Sequence, residues 1–271
     1  MTEQDVQAQS LRRTAYRLAD VARRISLEYF RNPALVADNK AVGGFDPVTQ
    51  ADRACELAMR EVLAADRPDD AIEGEEFGPK SGTSGLRWVL DPIDGTRGFL
   101  SGTPTWGVLI AVCDDTGPIF GVIDQPYIGE RFEGGFGGAR LSRGAVETPL
   151  RTRNTQNLAD AILFSTFPEV GTKDEGAAFA TVARAVKLTR YGMDCYAYGL
   201  MALGQIDLVI EAGLQPYDVL APIAVVEAAG GIVTDWQGRP AHGGGRVLAA
   251  ANPAIHTQAL AMLSTCPEAA A

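Results

Sequence analysis

No apolar run in this chain of 271 residues approaches the length needed to cross a bilayer, so a membrane-spanning protein is not expected. Positive charge is in short supply. There are 24 lysines and arginines against 34 aspartates and glutamates, and no basic run exceeds an adjacent pair such as Arg23-Arg24. Nucleic acids and anionic membrane surfaces demand a basic footprint, and a chain of formal net charge −10 offers none. Cysteine is scarce as well. Cys55, Cys113, Cys195 and Cys266 are scattered and form neither a CxxC pair nor a ligand-like spacing with the two histidines. That pattern argues for free thiols in a reducing compartment and against a disulfide framework or a zinc site. Met1 to Arg13 is polar and lacks the apolar core of a secretory signal, so a cytoplasmic location is expected. A GxxxxGK[ST] loop is absent, and Gly134 to Gly138 does not make a dinucleotide fingerprint.

What is present is a large apolar fraction, 46%, with ordinary charge content, enough for one large domain or two modest ones. Leu11, Ala15, Leu18, Ala22, Ile25 and Tyr29 recur on one face and predict a helix over 5–29. Gly43-Gly44-Phe45-Asp46-Pro47 reads as a turn. A second helix is expected to start near Thr49, because Thr49 with Asp52 makes an acidic capping box. Strands are expected at 71–73, 86–90, 105–112, 118–124 and 131–136, the third and fourth forming a hairpin. After Pro149 strands and helices alternate, as in a three-layer α/β unit. A soft boundary near 145 divides the chain into 1–145, an α+β part with most of the acidic motifs, and 146–271, an α/β part completing the site.

The sharpest signal is Asp91-Pro92-Ile93-Asp94-Gly95-Thr96, which follows the apolar run Trp88-Val89-Leu90. A strand ending there delivers Asp91 to its C-terminal edge, where ligand sites of α/β proteins collect. Pro92 keeps Asp91 extended, and a tight turn is expected to return Asp94 to the same point. Gly95 permits close approach of the backbone, and a short helix from Thr96 would offer N–H groups to an anion. Two converging carboxylates repel unless a cation lies between them. Hard oxygen donors without a His/Cys set favour Mg²⁺ over zinc. Simple capping of a turn or helix is the plainer account of this pair. The same applies to three other acidic corners: Gly74-Glu75-Glu76 as a surface turn, Asp52 as a helix-dipole partner, Asp218 as an N-cap. Periodicity does not decide whether the four corners meet. If they do, two Mg²⁺ ions about 4 Å apart can bridge a phosphate. A hydroxyl such as Thr96, paired with Asp52 or Glu75, can then orient and deprotonate the attacking water.

Taken together, four segments resemble, in order, the signatures of the inositol monophosphatase family. They are Asp46-Pro47-Val48-Thr49-Gln50-Ala51-Asp52, Gly74-Glu75-Glu76, Trp88 with Asp91 to Thr96, and Pro216-Tyr217-Asp218-Val219 followed by Gly230-Gly231. The resemblance spans the chain from about Lys40 onward. It implies an α/β (α+β) layered sandwich, α-β-α-β-α, in two subdomains, and hydrolysis of a small phosphate monoester by a Mg²⁺-dependent homodimer. Position by position it implies Glu75, Asp91 and the Ile93 backbone carbonyl as ligands of a first ion. Asp91, Asp94 and Asp218 would hold a second, a third ion would sit near Glu75, and Mn²⁺ would substitute for Mg²⁺. Thr96 with Asp52 would activate the water, and the backbone of Gly95 and Thr96 would contact the phosphate. Lys40 matches a lysine near the active site, although a solvated loop lysine fits equally well.

Within the family the details resemble the histidinol-phosphatase branch. The likeness lies in Arg97-Gly98-Phe99 after Thr96, the run from Phe99 to Gly107, Gly192-Met193-Asp194-Cys195-Tyr196, and the stretch from Asp207 to Asp218. That branch implies L-histidinol phosphate as substrate, in histidine biosynthesis, with Asp194 and Glu211 holding its cationic end. Asp194 also reads as an N-cap. Two positions depart from the pattern: Gly98, where alanine, asparagine or glutamate is usual, and Gln215, where lysine is common. Inositol phosphates, sugar bisphosphates and adenosine 3',5'-bisphosphate stand as alternative substrates. A non-catalytic Mg²⁺- or phosphate-binding protein stands as the alternative to an enzyme. His242 and His256 read as structural or exposed.

Overall fold

A computed structural model describes residues 2–33, 35, 37–39 and 47–267. Lys40 and the turn expected at 43–46 lie outside them. Helix α1 (Glu3–Tyr29) opens with a Thr2–Asp5 capping box, and its predicted stripe of Leu11, Ala15, Leu18 and Ala22 is buried. Short strands β1 (Ala37–Asn39) and β2 (Pro47–Thr49) pair antiparallel ahead of α2 (Gln50–Asp66), which the Thr49–Asp52 box caps as expected.

There follow β3 (Ala71–Gly74), β4 (Arg87–Asp94), α3 (Thr96–Ser101), β5 (Gly107–Cys113), β6 (Pro118–Gln125), β7 (Glu130–Gly135), β8 (Gly138–Arg143) and β9 (Val146–Pro149). These seven strands lie side by side in chain order, with β3 parallel to β4 and every later pair antiparallel. The β8–β9 hairpin was not anticipated. The glycines at 134–138 turn β7 tightly into β8, with Gly135, Phe136 and Gly137 all at positive φ. The expected boundary at 145 falls in the β8–β9 turn, just before the chain leaves this sheet.

The remainder comprises β10 (Ile162–Ser165), α4 (Lys173–Ala185), β11 (Leu188–Tyr191), α5 (Tyr196–Ala202), β12 (Leu208–Leu214), α6 (Pro216–Ala228), β13 (Ile232–Thr234), β14 (Gly245–Ala250) and α7 (Pro253–Leu263). It forms a mixed sheet ordered β11-β10-β12-β14-β13.

The layering follows from strand alternation. Trp88 and Leu90 of β4 face α1 and α2, where they meet Leu18, Met59 and Leu63. Val89, Leu109 and Ile123 point the other way, into a core shared with α5, α6 and the inner face of the second sheet. Leu163, Leu208 and Leu248 face outward from that sheet onto α4 and α7. The result is the expected α-β-α-β-α sandwich. Helix α6 lies between two sheets and is apolar all round, with Val219 to Val226 buried throughout. It approaches β6 and β7 closely because Gly121 and Gly134 lack side chains. A Cβ at either would fall 2.4–2.5 Å from α6 backbone atoms. Among the described residues no helix is long and apolar enough to cross a membrane.

Candidate active site

β4 decides the site. It does not stop at Asp91, as the sequence suggested, but continues through Pro92 to Asp94. Asp91 pairs with Leu109 and Asp94 with Gly107, so three steps on β4 match two on β5. The extra residue is a bulge, and it turns Asp94 to the same face as Asp91, where a regular strand would oppose them. Thus a bulge, and not a tight turn, brings the two carboxylates together. That face is the one Val89 presents to α6. Asp218, in the first turn of α6, meets the pair there, and carboxylate oxygens of Asp91, Asp94 and Asp218 all lie within 4.8 Å of one another. Asp218 is not the N-cap. It is the third residue of the helix, and its Oδ2 accepts from the N–H of the cap residue Gln215 at 2.6 Å.

Two further corners close in from α2 and β3. Asp52 is buried; its Oδ2 accepts from the Thr49 N–H at 2.8 Å. Its other oxygen accepts from the Thr96 hydroxyl at 3.4 Å. The same hydroxyl also reaches the Ile93 carbonyl at 3.1 Å, so one proton has two acceptors within range. Glu75 follows β3, and its N–H donates to the Leu90 carbonyl at 3.2 Å, one residue before Asp91. Burial pushes the Asp91 carboxyl well above the usual carboxylate range, and the charges of Glu75, Asp94, Asp218 and Asp52 add to the effect in that order. Asp94 is raised too, by burial and then by Asp194 and Asp218, against the pull of the Cys195 N–H that donates to it at 2.7 Å. An all-carboxylate set, crowded and half-buried around the buried Asp91, suits a hard divalent cation such as Mg²⁺. Asp91, Asp94 and Asp218 fit such an ion.

Gly95 joins this cluster to a pocket of about 280 Å³. It sits at φ +81°, a conformation that disfavours any side chain, and a Cβ there would lie 2.7 Å from Asp194 Cγ. Asp194 holds a left-handed backbone (φ 45°) and points into the pocket, where Thr105 donates to it at 3.2 Å. The N-cap of α5 is Cys195, so capping does not explain Asp194. Burial raises its carboxyl, opposed by the Thr105 hydroxyl and the Arg97 charge. Arg97 lies 4.9 Å from the Phe167 ring centre. Glu211 forms the far wall. It accepts from the Thr166 N–H at 3.1 Å, the Thr166 hydroxyl, and the Tyr198 hydroxyl at 2.7 Å. Burial raises this carboxyl as well. A Cβ at Gly98 would come within 3.2 Å of Asp194 Oδ2 and 2.9 Å of Thr103 Oγ1, so a larger residue here would crowd Asp194.

Solved structures with this fold are plentiful. The profile of the inositol monophosphatase family matches residues 7–268. The chain belongs to that family. Its members hydrolyse phosphate monoesters, and its relatives carry more than one substrate name. A histidinol-phosphatase of Streptomyces coelicolor is 34% identical over 93% of this chain and 96% of its own. A chloroplastic bifunctional phosphatase, IMPL2, of Arabidopsis thaliana is 42% identical over 82% of this chain, which spans 63% of that protein's length. The solved structure of an inositol monophosphatase from Zymomonas mobilis superposes with a TM-score of 0.82 at 40% identity, covering 93% and 96% of the two chains.

Periodicity left the meeting of the acidic corners open, and only the resemblance implied it. The structure gathers Asp91, Asp94 and Asp218 within 4.8 Å and sets Thr96 beside Asp52 and the Ile93 carbonyl. Local sequence did not point to Thr105, Thr166, Phe167 or Tyr198. Thr105 lay inside a segment already singled out, but nothing local tied it to a residue 89 positions away. His256 is structural: it is 9% exposed, lies 2.8 Å from the Thr234 hydroxyl, and burial lowers its pKa. His242 lies against Gly117 at the β5–β6 turn, where an added Cβ would fall 2.4 Å from its ring.

Proposed function

We propose that the chain is a Mg²⁺-dependent phosphomonoesterase whose preferred substrate is L-histidinol phosphate, working as a cytoplasmic homodimer in histidine biosynthesis. The observation that carries the hydrolytic part is the convergence of Asp91, Asp94 and Asp218 within 4.8 Å, beside the Thr96–Asp52 contact. On this reading Asp91, Asp94 and Asp218 hold one ion, and Glu75, Asp91 and the Ile93 carbonyl another, with a third near Glu75 and Mn²⁺ able to substitute. Bound there, the ions neutralise the phosphate and make the attacking water more acidic. The chain's own part follows. Thr96 accepts a proton from that water as its own passes to Asp52. Backbone N–H groups of Gly95 and Thr96 receive the non-bridging oxygens, where charge accumulates. In-line displacement at phosphorus breaks the bond to the ester oxygen, and the leaving alkoxide takes a proton from solvent water, giving the free alcohol and inorganic phosphate.

For the substrate, the support is the pocket beyond the phosphate end and the names of several relatives. L-Histidinol phosphate carries an ammonium and an imidazole, and the pocket presents Asp194 and Glu211 to them. Asp194 is the principal contact, because an arriving cation favours the ionised form that burial disfavours. Glu211, already receiving three hydrogen bonds, contributes negative charge and holds Tyr198 in the wall. Asp194→Asn keeps the shape and removes the charge. Loss of one charged hydrogen bond costs roughly 1.5–3 kcal/mol, equivalent to a ~10- to 150-fold fall in kcat/KM. The fall should appear with histidinol phosphate and be much smaller with glycerol 2-phosphate, which lacks a cation. Equal losses on both esters would mean that Asp194 serves the fold or the carboxylate cluster instead.

A further inference from the structure

Helix α2 carries more than Asp52. Asp52, Glu56 and Arg60 recur every four residues and lie along one side of it. Glu56 is fully buried, at 0% exposure. Its carboxylate leaves the helix to meet the corner after β3: Oε2 accepts from the Glu76 N–H at 2.7 Å and Oε1 from the Phe77 N–H at 3.3 Å. Arg60 braces the same corner. Its Nε donates to Glu56 Oε1 at 2.8 Å and its Nη2 to the Phe77 carbonyl at 2.9 Å, with the guanidinium 5.8 Å from the Phe77 ring centre. From the other side, the Glu75 N–H is tied to Leu90 of β4. Glu75 is therefore clamped between the helix that carries Asp52 and the strand that carries Asp91.

Gly74 lets the clamp close. A Cβ at this position would lie 2.1 Å from Glu56 Oε1 and 2.7 Å from Oε2, although its backbone is not at positive φ and would accept alanine. A buried carboxylate is costly unless hydrogen-bonded, and every donor named here belongs to the Glu75 corner or braces it. We propose that Glu56 is a positioning residue: the hydrogen bonds it accepts from Glu76 and Phe77, closed over by Gly74, hold Glu75 at the acidic cluster for a divalent cation. This inference rests on the reading of Glu75 as a cation ligand.

The test is direct Mn²⁺ binding by calorimetry to the full chain, alongside the Tm of each metal-free protein. Glu56→Ala and Gly74→Ala should each weaken Mn²⁺ binding by about tenfold or more. Glu56→Gln should fall between, since one amide oxygen replaces two carboxylate acceptors. The double variant Glu56→Ala/Gly74→Ala should bind no worse than Glu56→Ala alone, because the new Cβ then meets no carboxylate. Arg67→Ala is the control for simple loss of stability. It removes a hydrogen bond to Asp70 at the far end of α2 and should leave Mn²⁺ affinity unchanged. If Glu56→Ala does not fold, Gly74→Ala carries the test. Wild-type affinity in both single variants, with only a lower Tm, would overturn the positioning role, as would additive losses in the double variant. A wild-type chain that binds no Mn²⁺ would overturn the cation reading and this inference with it.

Discussion

Asp91→Asn should do two opposite things. Carboxylate oxygens of Asp91, Asp94 and Asp218 lie within 4.8 Å of one another. Two unit charges at that separation repel by about 3.5 kcal/mol at an effective dielectric near 20. Proton uptake and solvent relieve much of this, so the strain recovered by removing one charge is put at about 1–2 kcal/mol. Asparagine keeps an oxygen for the Ile93 N–H, which donates to Asp91 Oδ1 at 3.0 Å, and so loses no hydrogen bond. The metal-free variant should therefore be more stable than wild type, by roughly 2–4 °C in Tm per kcal/mol. The pH dependence has a definite sign. A carboxyl raised in the folded state contributes stability when protonated, and that contribution is lost as pH rises through its folded value. The advantage of Asn should be largest near pH 8 and fade on acidification towards pH 5. Added Mg²⁺ should stabilise wild type and leave the variant unmoved, and activity should be almost abolished. Calorimetric melts with and without Mg²⁺, paired with released-phosphate assays, read all three effects. A less stable metal-free variant, or one keeping more than a tenth of wild-type kcat, would refute the reasoning.

Thr96→Val keeps the branched shape but removes the proton shared by Asp52 and Ile93, so kcat should fall about 100-fold or more with KM little changed. A kcat within tenfold of wild type would exclude Thr96 from proton transfer. Because burial and mutual repulsion raise Asp91 and Asp94, cation binding must expel protons, and the apparent Mg²⁺ affinity should weaken as pH falls from 8 to 6. Calorimetry in two buffers of different ionisation heat measures the release, and an affinity independent of pH would contradict it. Light scattering at working concentration should give the mass of a dimer; a stable monomer would remove the homodimer and leave the chemistry untouched.

Much of the site was legible because its parts are local. Thr49 with Asp52 states a helix start, and the run from Trp88 to Thr96 states a strand opening onto a helix. β4 to β6 are legible as strands from their apolar runs, but they are buried on both faces and carry no alternation that tells which side meets which layer. The parts that escaped depend on distance or on backbone irregularity. The β4 bulge has no signature in residue type, since Asp-Pro reads equally as a turn, and only the pairing with β5 reveals it. The Thr105–Asp194 and Tyr198–Glu211 contacts join segments that the fold alone brings together. Glu56 carries no local signal that marks it as buried; three donors and a side-chain-free neighbour account for its burial.

The central claim is metal-dependent hydrolysis with preference for a cationic ester. Its most direct measurement is kcat/KM for L-histidinol phosphate and inositol 1-phosphate on the chelated, dialysed wild-type chain, before and after Mg²⁺ is restored. The account predicts turnover of neither ester without metal, and with Mg²⁺ a clear preference for histidinol phosphate. Undiminished turnover in the chelated protein would contradict the carboxylate mechanism, and a preference for inositol 1-phosphate would contradict the role given to Asp194.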